Sequence, residues 1–181
     1  GAAGVRETFC SVRRTYGGHS DMIDSGGVIN GQLMSCCFDG TIRCWSLDDG
    51  RCQTTLRKPS PHGVRRAIQL SAQRMVAWSF DSHLSIWDLQ TESIIGRLFG
   101  HTGSVASAIV LPGGRLASTS MFDSKICIWD PSLAQLTPPI DNHSDVLLNE
   151  LLVHENQLVT GAHDTTLRVW SLDSGECLKI L

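Results

Sequence analysis

The sequence predicts an all-β protein made of four like units, each an antiparallel sheet of four strands. Three observations carry this. The 181 residues align on themselves in one register, in which Asp39, Asp81, Asp123 and Asp164 each stand six residues before Trp45, Trp87, Trp129 and Trp170. The tryptophans are spaced 42, 42 and 41 residues apart. Short alternating or apolar runs separated by turn residues fill every interval, and apolar patterns of helical period are absent.

Taken in order, the chain opens with TFCSVRRTY (8–16), an alternating segment just before Gly18-His19, where the outer strand of a preceding unit would lie. The other strands of that unit are missing, so residues 1–17 are read as an orphan outer strand. Four full units follow over 18–57, 58–99, 100–140 and 141–181. Their shared segments read FDGTIRCWS, FDSHLSIWD, FDSKICIWD and HDTTLRVWS: a polar turn, then a strand that ends at the indole. The fourth unit shows all its strands in order: LLNELLV (147–153), QLVTGAH (157–163), LRVWSL (167–172) and ECLKIL (176–181). Asn30-Gly31 and Pro112-Gly113-Gly114 supply turns between first and second strands, and Asp49-Gly50 and Ser174-Gly175 between third and fourth. Pro138 and Pro139 fall in the fourth strand of the third unit, which suits an outer edge because proline lacks a ladder donor.

Bulk composition narrows the function classes. An apolar content of 41% is ordinary for a chain with a buried core. A formal charge of −3, a pI near 6.1 and the lack of any basic run offer no footprint for a phosphate backbone, so no nucleic acid is expected. The seven cysteines are odd in number and form no C-x-x-C pair, which indicates neither a disulfide framework nor a zinc knuckle and favours a reducing, intracellular compartment, cytoplasmic or nuclear. No stretch is long and apolar enough for membrane insertion by a helix, and the N-terminus lacks the order of a signal peptide. No metal and no cofactor is expected.

A period of about 40–45 residues closing on Trp-Asp or Trp-Ser is the signature of propeller blades. In these residues the chain resembles the WD-repeat β-propeller family, and the resemblance covers nearly all of it. The resemblance implies four blades in an arc of a larger ring, with a closed four-blade ring as the alternative. An open arc exposes two apolar blade faces, inviting self-association or completion by another chain.

Histidine, hydroxyl and aspartate recur with the blades: His19, Ser35 and Asp39; His101, Thr119 and Asp123; His143, Thr160 and Asp164. A hydrolase would need such groups gathered with an oxyanion hole in one pocket, for which the sequence offers nothing, so no catalytic residue is assigned. The resemblance implies that these groups, with Trp45, Trp129 and Trp170, form buried hydrogen-bonded tetrads. The physical need is that a buried indole or imidazole N–H without a partner costs about 1–3 kcal/mol. Blade 2 departs from the pattern: Ala77 stands at the hydroxyl position, His62 lies in Pro61-His62-Gly63, and Trp78 occupies a site held by smaller residues elsewhere. Its tetrad is therefore incomplete, and it is expected to be the least stable blade.

Binding is expected elsewhere. Phe38, Phe80, Phe122 and His163 stand just before the turn aspartates, taking three of the five phenylalanines. By resemblance this position points onto the top face of the propeller, where partners dock; the bland alternative folds each ring down onto its own blade. The starts of the first strands, Asp24, Arg65, Ala106 and Leu148, face the same surface by resemblance. Arg65, followed by Arg66, is the one anion-reading feature, and a solvated strand end is the better explanation of the pair. In the connector Lys58-Pro59-Ser60-Pro61, loop composition accounts for Ser60-Pro61, and a proline-directed phosphorylation site is the minor alternative. Three functions remain open: a non-catalytic scaffold or adaptor binding proteins or peptides, a phosphopeptide-reading substrate receptor of a ubiquitin ligase, and a propeller enzyme. The repeat endings look like those of F-box propeller proteins, yet no F-box precedes them.

Overall fold

The computed structural model describes residues 14–131, 135–136, 140–141 and 150–181, with the backbone alone at 135–136, 140–141 and 150. These residues form four antiparallel sheets. Blade 1 is β1 (Ile23–Ile29), β2 (Gln32–Cys37), β3 (Thr41–Trp45) and β4 (Cys52–Arg57), each strand paired with the next. Blade 2 repeats this with β5 (Arg66–Gln69), β6 (Arg74–Trp78), β7 (His83–Asp88) and β8 (Ser93–Phe99). In blade 3, β9 (Val105–Val110), β10 (Leu116–Ser120) and β11 (Lys125–Asp130) are followed by two short pieces, β12 (Gln135–Leu136) and β13 (Ile140–Asp141), that both pair with β11. Pro138 and Pro139 lie between those pieces, outside the described residues. Blade 4 is β14 (Glu150–His154), β15 (Gln157–Gly161), β16 (Leu167–Ser171) and β17 (Cys177–Ile180).

The local chemistry explains the hairpins. Asn30 and Gly31 both take positive φ (47° and 76°), which a two-residue loop needs to follow the strand twist, and asparagine and glycine tolerate it best. In blades 1, 2 and 4 the register between the third and fourth strands slips beside the tryptophan, at Cys44/Trp45, Ile86/Trp87 and Val169/Trp170. That irregularity bends the outer strand and adds twist.

The core lies between blades, in three clusters. Ile29, Met34, Ile42 and Leu56 of blade 1 meet Val64, Met75 and Trp87 of blade 2. Val76, Trp78, Leu84 and Leu98 meet Val105, Leu116 and Trp129 of blade 3. Ala117, Ile126 and Ile128 meet Leu151, Leu158 and Trp170 of blade 4. The Trp87, Trp129 and Trp170 indoles thus pack toward the preceding blade. Trp78 is buried against blade 3, a placement the sequence left undecided. Among the described residues no cluster joins blade 4 to blade 1. Trp45 is nevertheless buried: Tyr16 meets it edge-on at 5.9 Å and the Arg43 guanidinium lies 5.9 Å from its ring.

Of the expected orphan strand, residues 8–13 lie outside the described residues, and Arg14, Thr15 and Tyr16 belong to no strand. Arg14 instead donates Nη1–H to the Leu47 carbonyl at 2.7 Å. No helix among the described residues is long and apolar enough to cross a membrane.

Candidate functional site

The recurring polar residues come together as one directional chain of hydrogen bonds. In blade 1, Trp45 Nε1–H donates to Ser35 Oγ (2.8 Å), which lies 2.7 Å from His19 Nε2, and His19 Nδ1 lies 3.0 Å from Asp39. An indole can only donate, so the Ser35 hydroxyl proton turns to His19 Nε2 and the imidazole carries its proton on Nδ1, toward Asp39. Asp39 also accepts from the Ser20 and Thr41 N–H groups and the Thr41 hydroxyl. Burial alone would raise the Asp39 carboxyl; the bonds from Thr41, Ser20 and His19 outweigh it and hold the group well below the usual carboxylate range.

Blade 3 builds the same chain through a different residue from the expected one. Trp129 Nε1–H donates at 2.7 Å to Ser118 Oγ, not to Thr119, and His101 Nε2 lies 2.8 Å from the same Ser118 oxygen. In blades 1 and 4 the hydroxyl stands 10 residues before the tryptophan, whereas in blade 3 it stands 11 before. Leu116 pairs with Trp129 as Leu33 does with Trp45, so the inward hydroxyl is two residues past Leu116, and the extra residue sits in the β10–β11 turn. In blade 4, Trp170 Nε1–H donates to Thr160 Oγ1 (2.8 Å), and Asp164 accepts from Thr166 and pairs with Arg168 at 3.3 Å. His143 lies outside the described residues.

Blade 2 breaks the chain where the sequence marked it. Ala77 takes the inward position two residues past Met75, which pairs with Trp87, and the buried Trp87 Nε1 has no hydrogen-bond partner. What the sequence reading missed is the substitute for histidine. Lys58 Nζ, on a side chain only 2% exposed, pairs with Asp81 Oδ2 at 2.5 Å, and Ser60 Oγ donates to the same oxygen at 3.1 Å. Burial raises the Asp81 carboxyl, but Lys58 and Ser60 reverse the balance and lower it. A cation about the histidine distance before the turn aspartate was the available signal: 23 residues, against 20 and 22 for His19 and His101.

The turn aromatics divide. Phe38, half-buried, stacks on Phe80 with centroids 5.9 Å apart and planes at 6°. Gly63, at φ +64°, lets the next connector run against the Phe38 backbone, where any Cβ would collide. Phe80 is 42% exposed and lies under the Arg65 guanidinium, 5.3 Å from Cζ to the ring centroid. Arg65 also pairs with Asp24 at 3.6 Å and reaches the Met121 sulfur at 3.7 Å from Nη1. Four of the expected positions, Asp24, Phe38, Arg65 and Phe80, are therefore one group spanning blades 1 and 2, which Met121 extends to blade 3. Phe122 is 68% exposed and stands apart, with Gly103 packed close to its Cβ. His163 is exposed on the β15–β16 turn, and no described contact links it to the group. Ala106 is buried in β9, and Leu148 lies outside the described residues.

His19, Cys37 and Asp39 place ligand atoms within 4.8 Å of one another. They already serve each other and the backbone: His19 bonds Asp39, and the Cys37 thiol donates to the Asp21 carbonyl at 3.2 Å. Burial raises the Cys37 thiol, which disfavours the thiolate a metal requires. Cys36, Cys37, Cys44, Cys52 and Cys177 are free thiols, and burial pushes Cys36 up to about 12 and Cys44 to about 11.

Comparison with known proteins agrees with the repeat. Residues 10–46 and 92–130 match the family described as WD domain, G-beta repeat. The chain is 26% identical over 180 residues to autophagy-related protein 16 of Arabidopsis thaliana, covering 94% of this chain and 35% of that one. It is 28% identical to the target of rapamycin complex subunit wat1 of Schizosaccharomyces pombe, over 80% of this chain and 46% of that one. It is also 28% identical to human striatin-3, over 91% of this chain and 22% of that one. The chain spans less than half the length of each of these relatives. The tryptophan period, the four-stranded sheets and the matched segments agree: the chain carries WD repeats at residues 10–46 and 92–130, and its four sheets are consistent with the blades of a β-propeller.

Proposed function

We propose that this chain is a non-catalytic interaction module that binds proteins or peptides at the Asp24–Phe38–Arg65–Phe80 group. One observation carries the reading: Phe80 stays partly exposed at a turn tip while the Phe38 ring stacks with it and the Arg65 guanidinium lies against its ring. An aromatic ring already held by two neighbours loses little freedom when a partner covers it, and aromatic and arginine side chains dominate interface energetics. The names of two relatives, a complex subunit and an autophagy-related protein, sit easily with such a role. Arg65 already pairs with Asp24, which neutralises its charge within the chain and makes a general adaptor a better account than a phosphopeptide receptor.

Affinity capture from a cell extract with the wild-type chain and with the Phe38→Ala, Phe80→Ala and Phe122→Ala triple variant tests the reading. The triple variant, shown folded by circular dichroism, is expected to lose the captured partners. Retention of the same partners overturns it.

A second reading rests on a separate observation. Leu152, Leu167, Leu178, Ile180 and Leu181 of blade 4 are exposed, and Met22, Ile23 and Val28 are exposed on blade 1. Unpaired apolar surface at both end blades supports self-association or completion by another chain.

A further inference from the structure

The connector between blades 1 and 2 is tied down at both ends, where Lys58 N–H donates to the Gly40 carbonyl and Val64 N–H to the Cys37 carbonyl. Between those ties Pro59, Pro61 and His62 are exposed and Ser60 is half-buried. Pro59 and Pro61 have no N–H, so this stretch cannot be drawn into a strand ladder. Ser60 Oγ accepts from the His62 N–H (3.2 Å) and donates to Asp81. Beside it an opening of about 200 Å³ on the rim of blade 2 is lined by Lys58, Ser60, Asp81, His83 and Arg97. That volume holds several waters at roughly 30 Å³ each. Of the eight residues lining the opening, Lys58, His83 and Arg97 are basic and Asp81 is the one carboxylate; burial and the Lys58 charge lower the His83 pKa, which leaves Lys58 and Arg97 as the cations.

We propose that Ser60 is a phosphorylation site for a proline-directed kinase, and that its phosphoryl group is held in this opening by Lys58 and Arg97. The Ser60 Oγ–P bond forms as the bond from the γ-phosphorus to the bridging oxygen of a nucleoside triphosphate breaks. The nucleoside diphosphate leaves, and the hydroxyl proton, which Asp81 accepts a hydrogen bond from in the free chain, passes to the kinase base. The product carries nearly two negative charges where a neutral hydroxyl had bonded a carboxylate. Lys58 is then shared between the phosphoryl group and Asp81, and Arg97 supplies the second cation. Asp81 opens the β6–β7 turn directly after Phe80, so loosening its hold on Lys58 frees that turn.

The full chain carrying Thr137→Ala, which removes the only other Ser/Thr-Pro dipeptide, is treated with a proline-directed kinase and ATP and mapped by mass spectrometry. The heat-denatured chain serves as the control for the kinase. Phosphate on Ser60 of the native chain is expected, and native protein left unlabelled while the control is labelled overturns the proposal. On the labelled chain, ³¹P NMR titration reads the grip. The second pKa of the phosphate is expected to fall from about 6 to about 5 and to return toward 6 with Arg97→Gln. A value near 6 that ignores Arg97→Gln shows a solvated phosphate and overturns the held state. Hydrogen exchange over residues 80–83 is expected to speed up on phosphorylation, and unchanged exchange removes the link to the turn.

Discussion

A buried indole N–H is costly to leave without an acceptor, and in three blades a hydroxyl meets that need; in blades 1 and 3 the same hydroxyl hands its own proton on to a histidine. Ser118 makes the clearest case, since both Trp129 and His101 depend on its single oxygen. Ser118→Ala orphans two buried groups and is expected to cost about 2–4 kcal/mol. Urea unfolding checks this, and a loss under about 0.5 kcal/mol, typical of surface changes, counts against the assignment. The aspartates at the far ends give a pH signature. Burial raises Asp39, Asp81 and Asp123, but hydrogen bonds and neighbouring cations leave all three below the ordinary 3.8. A carboxylate more acidic in the folded chain than in the unfolded one favours folding while ionised. Its contribution is complete above about pH 4 and disappears as the pH falls through the lower folded values. From these three carboxylates thermal melts are expected to weaken on that acid side, and Asp123→Asn is expected to flatten the slope there.

Blade 2 shows how one element can keep the repeat geometry while changing its fastening. Its strands pair in the same register as the others, yet Trp87 has no acceptor and Asp81 relies on an ion pair with a buried lysine. Removing one partner of such a pair leaves a poorly solvated charge, so Lys58→Ala is expected to cost on the order of 3 kcal/mol, read as a shift in the denaturant midpoint. Blade 2 amides are expected to exchange faster than those of blade 4, and equal protection in native-state hydrogen exchange contradicts the ranking. The sequence announced the defect through Ala77, because a missing hydroxyl is visible in a repeat. It hid the remedy. Lys58 lies in a connector whose path is set by Gly63 passing Phe38, and no periodic pattern records that path.

At the scale of the molecule, apolar burial is arranged between blades, with three clusters for four blades. On the self-association reading, sedimentation is expected to show a mean mass that rises with protein concentration and falls back when Leu178 and Ile180 are changed to lysine; a monomer at all concentrations removes that reading. The repeat, the four-sheet architecture and the blade 2 defect were all legible in the sequence, because a strand's alternation and a buried tryptophan's needs are local demands that each unit states for itself. The proposed docking group was half legible. Phe38 and Phe80 could be named from their turn position, but their stacking, the Arg65 guanidinium over Phe80 and the arrival of Met121 join residues from three blades. The choice of Ser118 over Thr119 likewise waited for the strand register, since neighbouring residues in a strand face opposite sides and one extra turn residue shifts the count. What the sequence by itself determined is the unit and its internal chemistry. How the blades lean on one another, and which side chains therefore meet at their seams, was decided only by tertiary packing, because contacts between units depend on distances that no single repeat encodes.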